Sequence, residues 1–161
     1  MKSKGELAKS YFMQGYNCAQ AVSMAFSEEM NLETDTVAKM VSAFGGGMGR
    51  MREVCGAVSG MFFVLSVLEG YSDPKDHAGK MNLYKNVQEL AEEFRNSNGS
   101  IVCRELLSGS IPKISNSPEP SPRTEAYYKK RPCPELVSLA AEILQEKLSK
   151  EEIFQKFPEK S

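Results

Sequence analysis

Val54-Cys55-Gly56-Ala57-Val58-Ser59-Gly60-Met61-Phe62-Phe63-Val64-Leu65-Ser66-Val67-Leu68 is the most apolar stretch of the chain, and its reading decides the fold. A membrane span needs about 20 consecutive apolar residues. This run has 15 and is interrupted by Gly56, Ser59, Gly60 and Ser66. It reads instead as a central helix over about residues 54–69, apolar on every side because other helices surround it.

The flanking sequence supplies those helices, since a period near 3.6 dominates it. Toward the N-terminus, Cys18, Val22, Ala25, Phe26 and Met30 fall on one helix face. Val37, Met40, Val41 and Phe44 repeat the pattern behind Thr34 or Asp35 as N-cap, and a short opening helix is expected near Glu6 to Met13. Toward the C-terminus, Leu83, Val87, Leu90, Ala91 and Phe94 form one stripe and Leu136, Leu139, Ala140, Ile143, Leu144 and Leu148 another. The bulky alternation and hairpin turn pairs of a sheet are missing. The expectation is an all-α bundle, one domain over residues 1–161, without internal repeats.

Two segments break the helical pattern. Phe44 to Arg50 carries Gly45, Gly46, Gly47 and Gly49 and is expected to be a loop. It fails as a dinucleotide fingerprint, because Arg50 and Arg52 occupy the third-glycine places and no strand precedes it. An anion held by its amides with Arg50 or Arg52 is a lesser reading. The stronger one has either arginine lowering the pKa of Cys55. The second segment, about residues 108–131, holds Pro112, Pro118, Pro120 and Pro122 among serines and charges. It is expected to be a structureless connector, serving as a cover or hinge between Cys103 and Cys133.

Twenty basic and twenty-one acidic side chains give a net charge of −1. That balance favours neither nucleic acid nor an anionic membrane surface. The lysines of Met1 to Gly5 have no apolar h-region behind them, so no signal peptide is visible. A cytoplasmic protein without membrane insertion is expected.

Four cysteines then carry the chemistry: Cys18, Cys55, Cys103 and Cys133. Each is expected where a helix begins. Asn17 is a good N-cap for Cys18, Cys55 opens the central helix, Ser100 caps the Cys103 helix, and Pro134 makes Cys133 a cap. Free N–H groups and the helix dipole at such ends favour the thiolate. The plainer account of a free cysteine is a small buried hydrophobe, which four such placements together make less natural. In a cytosolic chain, metal ligands or redox groups are favoured over disulfide staples. The separations of 37, 48 and 30 residues contain no Cys-x-x-Cys, so zinc-knuckle and thioredoxin-type signatures are absent. Either two thiol pairs or a four-thiolate cradle for a metal or iron–sulfur cluster remains open. Gly56, Ala57 and Gly60 lack bulk and would let a backbone, a disulfide or a cluster approach Cys55.

Cys55-Gly56-Ala57-Val58-Ser59-Gly60, with one cysteine before it and two after, resembles the C_GCAxxG_C_C family of redox-active proteins. Asn17-Cys18-Ala19-Gln20, the Gly45–Gly49 loop and Arg131-Pro132-Cys133 are similar to the same pattern, which spans about residues 8–146. The resemblance implies redox activity. It also implies an iron–sulfur alternative, through a similar cytochrome-associated domain.

The leading expectation is a thiol–disulfide oxidoreductase needing no cofactor. Cys55 attacks, Cys103 or Cys133 resolves, and the partner is an unidentified redox protein or small molecule. The alternative uses the same four cysteines as ligands of an iron–sulfur cluster or metal for electron transfer. A third reading is a non-catalytic binding module, and a homodimer is open in each. His77 reads as a surface residue, and the nine methionines read mostly as core filler. Tyr127 and Tyr128 either meet a ligand beside Cys133 or pack on the bundle.

Overall fold

The computed structural model describes residues 2–151; Met1 and residues 152–161, which the sequence reading counts within the domain, lie outside them. The described residues form helices and no sheet, so the all-α expectation holds. In chain order the helices are α1 Lys4–Met13, α2 Cys18–Met24, α3 Ser27–Met30, α4 Thr34–Met40, α5 Gly56–Glu69, α6 His77–Asn98, α7 Cys103–Leu107, α8 Glu125–Lys130 and α9 Cys133–Lys150. No helix among the described residues is long and apolar enough to cross a membrane.

Helix α5 is the hub. It packs on α2, α6 and α9, while α1 closes the bundle against α2 and α9. Val58, Met61, Val64 and Leu65 of α5 join Phe12, Phe26, Phe94, Leu90 and Leu144 in one core, all fully enclosed. Burying each such large side chain stabilises the fold by about 1.5–3 kcal/mol. The enclosure is not complete, however. Ser66 is exposed and Val67 is 40% exposed, so the outer end of α5 faces water rather than another helix.

Other boundaries also differ from the periodicity. Val22, Ala25, Phe26 and Met30 of the first stripe are buried and Cys18 is half-buried, but the stripe is two helices. The Ser27 hydroxyl donates to the Met24 carbonyl at 2.8 Å, which replaces a helical partner and breaks the run at Ala25–Phe26. Helix α4 is capped by Glu33 without a side-chain bond, not by Thr34 or Asp35. Phe44 belongs to a 3-10 turn, Ser42–Phe44, beyond its end. The connector is not wholly structureless, because Thr124 caps α8 by accepting from the Tyr127 amide at 3.2 Å. Four methionines, Met13, Met40, Met51 and Met81, are exposed rather than core.

Helices α2 and α5 meet through glycine. A Cβ on Gly60 would lie 3.0 Å from the Ala19 carbonyl oxygen and 3.0 Å from Val22 Cβ. A Cβ on Gly56 would lie 3.0 Å from both the Ala19 nitrogen and Cys18 Cβ. These neighbours are backbone and branched carbons, which yield little. Gly60→Val is therefore expected to lower the unfolding free energy by about 1–3 kcal/mol, the usual cost of overpacking. Gly109→Ala, with nothing within 4 Å, should change it by no more than about 0.5 kcal/mol. Urea denaturation midpoints of the two variants measure the contrast.

Candidate functional site: a four-cysteine cavity

Each cysteine stands at a helix start, positioned by its local sequence. Asn17 Oδ1 accepts from the Gln20 amide at 2.9 Å while Gln20 Oε1 accepts from the Asn17 amide at 3.1 Å, so Cys18 is the first residue of α2. Cys55 is the N-cap of α5. Cys103 opens α7 behind Val102; Ser100, expected as the cap, instead accepts from the Val102 amide at 2.9 Å and bonds the Glu105 carboxylate. Cys133 opens α9, with Pro132 as N-cap and Pro134 next in the first turn, one residue from the expected register.

Three contacts gather these ends. Val54 and Val102 form an isolated antiparallel bridge, in which the Cys55 amide donates to the Ile101 carbonyl at 2.8 Å and the Cys103 amide to the Glu53 carbonyl at 2.6 Å. Cys55 and Cys103 are thereby held side by side. The Gly56–α2 contact brings Cys18 to Cys55. The packing of α9 against α1, α2 and α5 adds Cys133. All four cysteines line one cavity of about 50 Å³. Asn17, Gly46, Gly47, Gly56, Arg52, Arg123, Tyr127 and Arg131 also line it. All four are free thiols.

The glycine loop forms one wall of this cavity. Gly46 and Gly47 have φ of 64° and 68°, and a Cβ on Gly47 would meet Cys103 Cβ at 2.6 Å. Met48, Arg50 and Arg52 also adopt positive φ, which is unfavourable for residues bearing a Cβ. Arg52 is only 4% exposed. Its Nη1 donates to Cys103 Sγ at 3.9 Å and its Nε to the Ser115 carbonyl at 2.9 Å. Arg50 Nε donates to the Ser117 carbonyl at 2.7 Å and its Nη1 to Ser121 Oγ at 3.2 Å. Arg123, from the connector, donates to the Phe12 and Tyr16 carbonyls at 3.2 and 3.0 Å and stacks 4.4 Å above the Phe12 ring. The connector thus crosses the cavity and is tied to both sides of it by arginines.

The electrostatics divide the four sulfurs. Burial pushes the Cys55 thiol up to about 12, although the Ala57 and Val58 amides at the start of α5 pull the other way. The Cys103 thiol is also raised by burial, with the Arg52 guanidinium opposing. Cys18 and Cys133 titrate as a neighbouring pair. The interaction between the two thiols raises Cys18 well above the usual thiol range and lowers Cys133 below it. Burial opposes that lowering, whereas Arg131, Arg123 and Arg52 reinforce it. Cys133 is therefore the sulfur set to lose its proton first.

The residues singled out from sequence separate accordingly. Cys18, Cys55, Cys103, Cys133, Gly56 and Arg52 line the cavity. Ala57 is fully buried in the core and Gly60 is packed on α2, so both act through helix spacing. Arg50 holds the connector, and Arg52 faces Cys103 rather than Cys55, so the arginines bear on a different sulfur from the one expected. Tyr127 meets the cavity, while Tyr128 packs edge-on against Phe12 with ring centroids 5.9 Å apart. His77 is exposed at the start of α6, away from the cavity. Arg123 and Arg131 were not singled out as site residues. Arg131 had a signal, two residues before Cys133; Arg123 had none, because only the folded connector carries it to α1.

The four sulfurs suit a metal by chemistry but not by placement. Among the described residues no group of three or more Cys, His, Asp or Glu side chains is gathered to hold a metal ion.

A comparison with protein families matches residues 16–147 to the family described as "Putative redox-active protein (C_GCAxxG_C_C)". All four cysteines fall within the match. Comparisons with curated proteins and with solved structures returned no match.

Only the thiolate is alkylated at an appreciable rate, so the shifts predict an order of labelling. As pH rises, iodoacetamide is expected to label Cys133 before the other three. Cys55 should stay unlabelled in folded protein until about pH 12. Peptide mapping of protein quenched at successive pH values reads the order directly.

Proposed function

The chain belongs to the C_GCAxxG_C_C family of redox-active proteins, and from that premise we propose that it is a thiol–disulfide oxidoreductase in which Cys133 attacks and Cys18 resolves. One observation carries this reading: Cys18 and Cys133 line one cavity together with the guanidiniums of Arg52, Arg123 and Arg131, and the neighbouring thiol and those cations hold Cys133 below the usual thiol range. Such cations stabilise a thiolate that burial alone would suppress. The attacking role passes from Cys55 to Cys133 because the environment of Cys55 keeps it protonated.

The reaction is exchange with a substrate disulfide, R–S–S–R. The Cys133 thiolate attacks one sulfur, the substrate S–S bond breaks, and one RS⁻ leaves and is protonated. Cys18, once deprotonated, then attacks Cys133 Sγ and expels the second RS⁻. Two thiols of the protein are oxidised to a Cys18–Cys133 disulfide, and the substrate gains those two electrons as two thiols. A second dithiol or thiol reductant returns the protein to its starting state. A reducing, cytoplasmic setting suits this cycle, since four free thiols persist there.

Treatment of the reduced protein with one equivalent of a low-molecular-weight disulfide is expected to give a Cys18–Cys133 link in peptide maps. Cys18→Ser should stall at a mixed disulfide on Cys133, and Cys133→Ser should lower the rate of substrate reduction at pH 7 by about a hundredfold or more. A first mixed disulfide on Cys55 in the wild-type protein would overturn the assignment.

A further inference from the structure

We infer that the substrate is a small disulfide bearing a carboxylate close to its sulfurs, and that Arg131 is the residue that selects it. The inference rests on the reading of Cys133 as the attacking thiolate.

The argument begins with charge. The cavity is lined by Arg52, Arg123 and Arg131 and by no aspartate or glutamate. One thiolate leaves two of three positive charges without a counter-ion; Arg52 is buried, while Arg123 and Arg131 are half-buried at the cavity wall. Two of the guanidiniums are committed to the protein. Arg52 is held by the Ser115 carbonyl and Cys103 Sγ, Arg123 by the Phe12 and Tyr16 carbonyls. Arg131 differs. Its guanidinium lies 4.4 Å over the Tyr127 ring and makes no hydrogen bond or ion pair among the described residues. A planar guanidinium fixed on an aromatic face, with its N–H fork unused, is arranged for bidentate carboxylate recognition. The cationic crowding is felt as far as Arg50, whose pKa is lowered first by burial and then by Arg52 and Arg131.

Size sets the substrate class. About 50 Å³ admits a few heavy atoms, and the connector is tied down beside the cavity by Arg50, Arg52 and Arg123. A reactive sulfur and an adjacent carboxylate fit that space.

Three disulfides of similar length separate charge from reach: 3,3′-dithiodipropionate is anionic, bis(2-hydroxyethyl) disulfide neutral and cystamine cationic. The wild-type protein is expected to form the Cys133 adduct about tenfold or more faster with the anionic than with the neutral probe, the scale of one charge-assisted hydrogen bond. Cystamine should be slowest. In Arg131→Gln the anionic-to-neutral ratio should fall to about one while the neutral probe still reacts, which shows the variant to be folded. Arg131→Lys should restore part of the ratio. Reaction of all three probes without this order, or faster reaction of cystamine, overturns the inference and leaves the oxidoreductase reading intact. Failure of every probe at Cys133 overturns that reading itself.

Discussion

The close approach of α2 and α5 at Gly56 and Gly60 is the constraint on which the site depends. With no side chain at either position, the α2 backbone at Ala19 comes within what would be 3.0 Å of a Cβ. Cys18 and Cys55 lie at the starts of those two helices, so the spacing between helix axes becomes the spacing between sulfurs. A larger residue at either glycine would both open the core and move Cys18 away from the cavity. Fold stability and site geometry are thus the same contact seen from two ends. The family motif around Cys55 can be understood in these terms, as a packing instruction next to a cysteine.

The second organising fact is that burial and helix-start placement pull thiol chemistry in opposite directions. A helix N-terminus favours a thiolate, but three of the four cysteines are buried, and desolvation favours the thiol. At Cys55 and Cys103 burial prevails and both pKa values rise. At Cys133 it does not, because the neighbouring Cys18 and arginines from the glycine loop and the connector hold its pKa down. The dipole common to all four cannot distinguish among them; the neighbouring thiol and the guanidiniums do.

The helices were legible in the sequence because their apolar stripes are long and regular, as in α6 and α9. The helix starts of Cys18 and Cys133 were legible to within a residue because Asn17 and the flanking prolines are strong local signals. What the sequence did not disclose depends on contacts between distant segments. The Val54–Val102 bridge is one residue pair long, so it leaves no alternating pattern to detect. The break at Ala25–Phe26 comes from one serine hydroxyl, and both residues remain buried, so the stripe continues across it. Arg123 reads as one more charge in a proline-rich segment until the connector lays it on Phe12.

The connector gives the arrangement its last step. Proline-rich sequence forms few backbone hydrogen bonds of its own, and here three arginines supply anchors instead. Arg50 and Arg52 reach it from the glycine loop at positive φ, a backbone conformation that costs energy at a residue with a Cβ. That cost is offset by the hydrogen bonds to Ser115, Ser117 and Ser121 and by the contact with Cys103. The same guanidinium of Arg52 therefore holds the cover and faces a sulfur. Any change of charge at the cysteines acts on a group that also secures access to them.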